Sequence, residues 1–118
     1  MRRLNRTLFD ALPSNGYAER VLQFGTGGFL RGFIGHFIEA ANRQHAFNGR
    51  IVAVGSTGSG RDRVFNEQDG LFTLWVRGLD QGSQTSKLQL NSAFSRALSA
   101  HNEWAEVLAC ARNPELEL

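Results

Sequence analysis

Residues 20–38 read RVLQFGTGGFLRGFIGHFI, and this stretch decides the fold. It opens with a short apolar strand, Arg20 to Phe24, which runs directly into the turn Gly25-Thr26-Gly27-Gly28. From about Gly28 to Arg43, apolar residues recur at spacings of three and four, which predicts an amphipathic helix. The recurring residues are Leu30, Ile34, Phe37, Ile38 and Ala41. A strand, a glycine turn and a helix in immediate succession are the context that a dinucleotide-binding fingerprint requires.

The glycines of this turn and helix have specific physical uses. Gly25 allows the sharp turn out of the strand, and Gly27 lets the backbone approach a pyrophosphate closely. The free N–H groups and partial positive charge at the start of the helix favour the phosphates. The third fingerprint position, where a small residue is usual, holds Leu30. Gly32 and Gly35 each cost about 1 kcal/mol against alanine in a helix, so we expect them to permit close backbone packing.

A second strand completes this unit. Asn48-Gly49 is a turn signal, and the stretch from Arg50 to Val54 contains a continuous apolar run. Such runs are typical of strands buried on both faces of a parallel sheet. The first 55 residues therefore predict one βαβ unit with parallel strands and a right-handed crossover.

The remaining residues predict a hairpin, a helix and the start of another strand. A short helix at 61–68 and a turn at Asp69-Gly70 precede a hairpin with strands at 71–77 and 87–91 and a polar turn at 78–85. The helix is predicted at 103–112, and residues 115–118 resemble the start of a strand. The apolar face of the helix at 103–112 is assigned to Trp104, Val107, Leu108 and Ala111. Three residues are interpreted as core residues: Trp75, Trp104 and Cys110.

The fold class is therefore α/β, an incomplete Rossmann-type and mostly parallel sheet with a βαβ unit and an antiparallel hairpin. A doubly wound sheet usually has five or six strands, more than these patterns supply. We therefore interpret residues 1–118 as the N-terminal part of a dinucleotide-binding domain within a longer polypeptide.

Composition and charge exclude several classes of partner. The formal charge is +2, and the basic residues cluster only at Arg2, Arg3 and Arg6, which we interpret as a solvated tail rather than a nucleic-acid surface. Cys110 is the single cysteine, which excludes an internal disulfide and suits the cytoplasm. No stretch approaches the roughly 20 apolar residues of a membrane span. The three histidines show no metal-ligand spacing with one another or with Cys110, so no metal is expected.

Two motifs resemble the long-chain mannitol dehydrogenase family. The sequence GTGGFLRG at residues 25–32 resembles the family pattern G-x-G-x-F-x-R, in which leucine is the residue found where Leu30 stands. The sequence QDGLFTL at 68–74 is similar to the family segment Q-D-G-L-Y-T-L. Within the family, residues 4–6, 19–25 and 113–116 are most similar to members that act on sugar acids. The resemblance covers nearly the whole chain.

The resemblance implies an NAD-dependent, metal-independent oxidoreductase that interconverts a keto-sugar acid, or a ketose, and the corresponding alcohol. It also implies a second, helical domain that carries a catalytic lysine with asparagine and histidine companions. Residues 1–118 are therefore expected to hold no catalytic residue and to be inactive alone. The expected partners are a dinucleotide and a small sugar-acid or polyol substrate, with no nucleic acid and no membrane.

Two other functions fit the glycine turn. A non-catalytic nucleotide-sensing Rossmann module would share the strand, turn and helix but would not continue into a catalytic domain. A methyltransferase is less well supported, because its loop usually has a third glycine near Phe29 and an acidic residue at the end of the second strand. Neither feature is present in this sequence.

The residues after the second strand suit NADP, whereas the family resemblance implies NAD. An NAD site usually has an acidic residue at the end of the second strand, where this chain has Gly55-Ser56-Thr57. Asp62 follows, flanked by Arg61 and Arg63, and arginines suit the 2′-phosphate of NADP. We follow the resemblance and expect NAD, with Ser56 or Asp62 at the ribose and NADP as the alternative. The candidate cofactor-binding residues are Phe24, Gly25, Thr26, Gly27, Gly28, Phe29, Leu30, Arg31, Ser56 and Asp62.

Overall fold

The computed structural model describes residues 6, 12, 16–25, 28–55, 65–80 and 82–118; for 28–32, 74–80, 84, 85 and 87 it describes the backbone alone. Five strands and two helices lie in these ranges. In chain order they are β1 Ala18–Phe24, α1 Gly28–Arg43, β2 Gly49–Gly55, β3 Phe72–Asp80, β4 Ser83–Asn91, β5 Phe94–Ser99 and α2 Trp104–Ala111. Neither helix has the length and apolar character needed to span a bilayer.

The main sheet is parallel, with the strand order β1-β2-β5. Residues at the end of the chain lie along the other edge of β1. The Leu118 N–H donates to the carbonyl of Arg20 at 3.1 Å, and the Leu22 N–H donates to the carbonyl of Leu118 at 2.9 Å. This is the hydrogen-bond pattern of a parallel neighbour. The spatial order β5, β2, β1 and then Leu118 matches the 3-2-1-4 order of a Rossmann sheet.

A helix covers each face of this sheet. On one face, Val21, Ile51 and Phe94 pack with Ile34 and Ile38 of α1. On the other face, one cluster joins the sheet to α2; it consists of Val52, Val54, Leu98, Val107 and Cys110, with Leu22 beside it. The layer order is therefore helix, sheet, helix, as in doubly wound folds.

The other two strands form a separate antiparallel pair. β3 and β4 run in register from Phe72 opposite Asn91 to Asp80 opposite Ser83. The hairpin is confirmed, but the long polar turn predicted at 78–85 is wrong, because the ladder continues through those polar residues. Ahead of the hairpin, 65–67 form one helical turn, while 61–64 of the predicted short helix lie outside the described residues. Asp69 and Gly70 have φ values of 55° and 74°, which confirms the predicted turn.

The unit β1–α1–β2 is confirmed, as is its parallel pairing. The sequence patterns assign no element to 92–102, so β5 is a strand that they miss. Two predicted apolar faces are also wrong in part. Phe37 is 55% exposed and Trp104 is 51% exposed, whereas Glu39 is buried.

Arg6 is not part of a solvated tail. Its guanidinium Nη2 donates to the carbonyls of Ser92 and Phe94 at 3.1 and 3.0 Å, and its backbone N–H donates to Asp69 at 2.9 Å. Burial is the main cause that lowers the pKa of Arg6 below its ordinary value, and the charge of Arg50 adds to it. The solvated-tail interpretation is therefore wrong at this residue, because Arg6 satisfies carbonyls at the start of β5.

Candidate dinucleotide-binding site

The candidate site lies where the parallel strands end. β1, β2 and β5 run in the same direction, so Phe24, Gly55 and Ser99 lie at the same edge of the sheet. β1 has β2 on one side and Leu118 on the other. Ligands of open α/β sheets bind outside the carboxyl ends of the strands, at the point where the strand order reverses. In this chain that point is the end of β1.

Gly25 turns the chain out of β1. Its φ is 116°, in the region that strongly favours glycine, and its N–H donates to the carbonyl of Val54 at 2.8 Å. The hydrogen bond ties the turn to the end of β2. The sequence-based prediction that Gly25 makes the sharp turn is confirmed.

Helix α1 begins three residues later, at Gly28, and is 16 residues long. Its first turn contains no acidic residue. The first N–H groups of the helix, which have no acceptor within the helix, and the positive end of the helix dipole therefore lie at the carboxyl edge of the sheet, and that turn contains no carboxylate to neutralise them. This combination favours a bound anion.

Gln23 lies beside this turn, and the sequence-based candidates do not include it. Its side chain is 8% exposed, and Nε2 donates to the carbonyl of Gly25 at 3.3 Å. Its Oε1 is buried and has no hydrogen-bond partner in the described part of the chain. The available signal was a polar residue within an apolar strand, two positions before the glycine turn.

Hydrogen bonds from residues 99–103 satisfy backbone groups at the carboxyl ends of β2 and β5. The Ala100 N–H donates to the carbonyl of Gly55 at 2.9 Å. Oε1 of Glu103 accepts the N–H of Ser99 at 3.0 Å, and the Glu103 N–H donates to the carbonyl of Ser99 at 2.8 Å. The carboxylate of Glu103 therefore serves the turn into α2.

The structure locates some of the predicted cofactor-binding residues. Phe24 ends β1 and is 63% exposed, Gly25 forms the turn, and Gly28 begins α1. All ten predicted cofactor contacts remain predictions, and for seven of them the residue or its side chain lies outside the described part. They are Thr26, Gly27, Ser56 and Asp62, and the side chains of Phe29, Leu30 and Arg31.

Close packing and buried amides hold α1 against the sheet. A Cβ on Gly35 would lie 2.7 Å from Cε1 of Phe94, so the predicted close packing is confirmed at Gly35, against a side chain rather than backbone. The surroundings of Gly32 lie outside the described part. Asn91 Nδ2 donates to the carbonyl of Gly35 at 2.9 Å. The carboxamide of Asn42 donates to the Gly49 carbonyl at 2.8 Å and accepts its N–H at 3.2 Å. These contacts fix the helix relative to the start of β2.

A second buried contact on α1 uses a carboxylate. Glu39 accepts the backbone N–H of Ser92 at 2.7 Å and its hydroxyl at 2.9 Å. Arg43, one turn along the helix, lies 3.3 Å from the same carboxylate. Glu39 therefore links α1 to the residues before β5 and is satisfied by protein groups.

Cys110 is buried, as predicted. Burial raises the pKa of its thiol, and the nearby Arg96 guanidinium, whose Nη2 lies 3.3 Å from Sγ, only partly opposes that shift. Arg96 also pairs with Glu19 at 3.0 Å. A thiol with a raised pKa is a poor nucleophile, so Cys110 belongs to the packing beneath α2.

Curated relatives of this chain are altronate oxidoreductases. The protein of Halalkalibacterium halodurans is 41% identical over 106 residues, which cover 89% of this chain and 21% of that protein. The protein of Bacillus subtilis is 36% identical over 104 residues, which cover 88% and 21%. The protein of Shigella sonnei is 36% identical over 117 residues, which cover 98% and 24%. This chain spans about a fifth to a quarter of the length of these relatives.

Solved structures show the same fold. The Pseudomonas fluorescens mannitol 2-dehydrogenase, in a ternary complex with NAD and D-mannitol, gives a TM-score of 0.80 at 21% identity and covers 98% of this chain and 25% of that one. A substrate-free D-sorbitol dehydrogenase gives 0.76 at 27% identity, with the same coverage of 98% and 25%. No protein-family model matches the chain. The resemblance to the mannitol dehydrogenase family is confirmed by these relatives and structures.

Proposed function

Because this chain is homologous over most of its length to the altronate oxidoreductases, we propose that it is the N-terminal part of the dinucleotide-binding domain of an NAD-dependent dehydrogenase. The proposed reaction interconverts a keto-sugar acid of the tagaturonate type and its alcohol of the altronate type, a step of hexuronate metabolism. The observation that carries the proposal is Gly25, at a φ of 116° and bonded to Val54, at the end of β1 and directly before α1.

The residues of this edge fit a dinucleotide. Gly25 supplies a turn without a side chain, and α1 presents an N-terminus without an acidic residue in its first turn. Both suit the two negative charges of a pyrophosphate. Phe24, exposed at the same edge, offers an aromatic surface to a ring of the cofactor. When bound, the nicotinamide supplies hydride transfer, while these residues hold and orient the pyrophosphate end of the molecule.

The relatives support the choice of NAD and of a sugar substrate. The mannitol 2-dehydrogenase with the same fold was solved with NAD and D-mannitol. The curated relatives are named for altronate. The chain covers only a fifth to a quarter of those proteins, so the catalytic groups are proposed to lie in the part of a longer polypeptide beyond this one.

A binding experiment tests the cofactor proposal directly. The chain is titrated with NAD and with NADP by calorimetry under the same buffer and salt conditions. We expect saturable binding of NAD and weaker binding of NADP. Absence of binding to either dinucleotide, both by this chain and by the chimera described below, would contradict the proposal. A tenfold preference for NADP, about 1.4 kcal/mol, would show that the cofactor is NADP.

An activity experiment tests the substrate proposal. The chain alone is assayed with NADH and tagaturonate, fructuronate or fructose, and we expect no turnover. A chimera then replaces the matching N-terminal segment of the Bacillus subtilis altronate oxidoreductase with this chain. We expect turnover with tagaturonate above that with fructuronate or fructose. Turnover by the isolated chain would refute the two-domain arrangement.

A further inference from the structure

Gln23 places an amide in a buried position that the fold does not require to be polar. Strand alternation puts it on the same face as Val21, which packs in the core beneath α1. Its partner across the sheet is Ala53, which is also buried in that core. Apolar residues fill the neighbouring positions of this core, so packing alone does not explain an amide at position 23.

Only half of this amide is used in the described part of the chain. Nε2 donates to the carbonyl of Gly25, whereas Oε1 is buried without a partner. An unsatisfied buried acceptor costs about 1–3 kcal/mol, and such groups in native proteins usually mark an ordered water or a functional role. The amide lies two residues before the turn that holds the proposed pyrophosphate site.

The bond to Gly25 also sets the direction of a carbonyl group. Nε2 of Gln23 holds the Gly25 carbonyl oxygen on the side of the buried amide. A carbonyl oxygen carries a partial negative charge, so an oxygen that faced a bound pyrophosphate would repel it. The bond from Gln23 therefore keeps this oxygen from opposing an anion at the turn.

We propose that Gln23 is a positioning residue for the cofactor pyrophosphate, holding the Gly25 carbonyl inward through Nε2 and accepting, through Oε1, a hydrogen bond from a water ordered in the turn. This inference rests on the proposed dinucleotide function. Buried waters typically make about three hydrogen bonds to otherwise unsatisfied polar groups, and Oε1 supplies one such acceptor. The role is indirect, because Gln23 acts through the peptide of Gly25.

The test compares two substitutions at this position with a matched control. Gln23→Met keeps the length of the side chain and removes both amide atoms. Gln23→Glu keeps an acceptor but removes the donor to Gly25. Gln68→Met is the control, because Gln68 also donates one Nε2 hydrogen bond, to the Leu71 carbonyl at 3.0 Å, in a turn that the proposal does not involve.

We expect Gln23→Met to weaken NAD binding about tenfold, or about 1.4 kcal/mol. Its melting temperature should change little, because the lost bond to Gly25 is long at 3.3 Å and an apolar side chain replaces a buried amide. Gln23→Glu should bind NAD more weakly still at pH 8, where its carboxylate faces the Gly25 carbonyl. Its affinity should recover at pH 5.5 as the carboxyl gains a proton that it can donate. Gln68→Met should keep the affinity of the unchanged chain.

The outcomes separate this inference from the function on which it rests. If neither the unchanged chain nor its chimera with the Bacillus subtilis enzyme binds NAD, the proposed function is overturned, and this inference with it. An unchanged chain that binds NAD no better than Gln23→Met overturns the role of Gln23 alone. The same holds if Gln68→Met weakens binding equally, or if the affinity of Gln23→Glu does not depend on pH.

Discussion

Replacing Gly25 with alanine adds a single methyl group at the turn on which the proposed site depends. Gly25 has a φ of 116°, and its N–H is bonded to Val54 at the end of β2. A residue with a Cβ is strained in such a conformation by about 1–3 kcal/mol. Gly16 is a matched control, because its φ is 80°, it is exposed, and a Cβ there meets nothing within 4 Å.

The strain at Gly25→Ala must appear in one of two measurements. If the turn keeps its shape, the free energy of unfolding falls by about 1–3 kcal/mol, as urea titration would show. If the turn relaxes in the free chain, NAD must restore it on binding, and the Kd rises about fivefold to 150-fold. The two losses together should equal the strain. Gly16→Ala should lose stability from its own positive φ while its Kd for NAD stays unchanged.

If Gly25→Ala retains both the free energy of unfolding and the Kd of the unchanged chain, the φ of Gly25 has no role in the site. If Gly16→Ala weakens NAD binding to the same degree, the effect is a general loss of stability and Gly25 again has no specific role. Calorimetric titration with NAD and urea unfolding followed by tryptophan fluorescence supply the two quantities.

Asn42→Ala should lower the free energy of unfolding by about 3 kcal/mol in urea, because it leaves the buried N–H and C=O of Gly49 without their partner; a loss below about 1 kcal/mol would contradict this. Gly35→Ala should cost up to about 2 kcal/mol, since overpacking against Phe94 exceeds the gain in helix propensity, and it should become stabilising in a Phe94→Leu background. Burial raises the pKa of Cys110, so as the pH rises the unfolded chain loses the thiol proton before the folded chain does. The free energy of unfolding should therefore fall above about pH 8.5, and it should fall less in Cys110→Ala; equal pH profiles for the two proteins would contradict this prediction.

The βαβ unit was predictable because its signals are local. The glycines of the turn and the spacing of three and four between apolar residues lie within one continuous stretch, residues 20–43. β5 lacked such a signal, since FSRALS has neither an apolar run nor a clear alternation. It becomes a buried strand because β2 pairs with it and because Arg96 reaches out to the carboxylate of Glu19. Both conditions depend on tertiary contacts.

The predicted buried faces of the helices are wrong in part for a related reason. Hydrophobic periodicity places Phe37 on the buried face, but Phe37 is 55% exposed, whereas the charged residue Glu39 is buried. Glu39 and Asn42 are buried because they satisfy backbone groups of Ser92 and Gly49. A binary apolar pattern cannot recognise a polar residue whose partner is a distant backbone group. Gln23 escaped notice in the same way, and it became visible only through its contact with Gly25.

The position of β1 determines why these few residues form one site. β2 pairs with one edge of β1 and Leu118 with the other, while α1 covers the face of Val21 and α2 the face of Leu22. The chain thus passes from β1 into α1 on one face of the sheet, and it returns from α2 on the other face to pair with β1 at Leu118. This arrangement opens a crevice at the carboxyl end of β1. Gln23 and Gly25 lie at that end because the strand stops there. A ligand in the crevice would therefore meet a turn whose geometry is set from within the core.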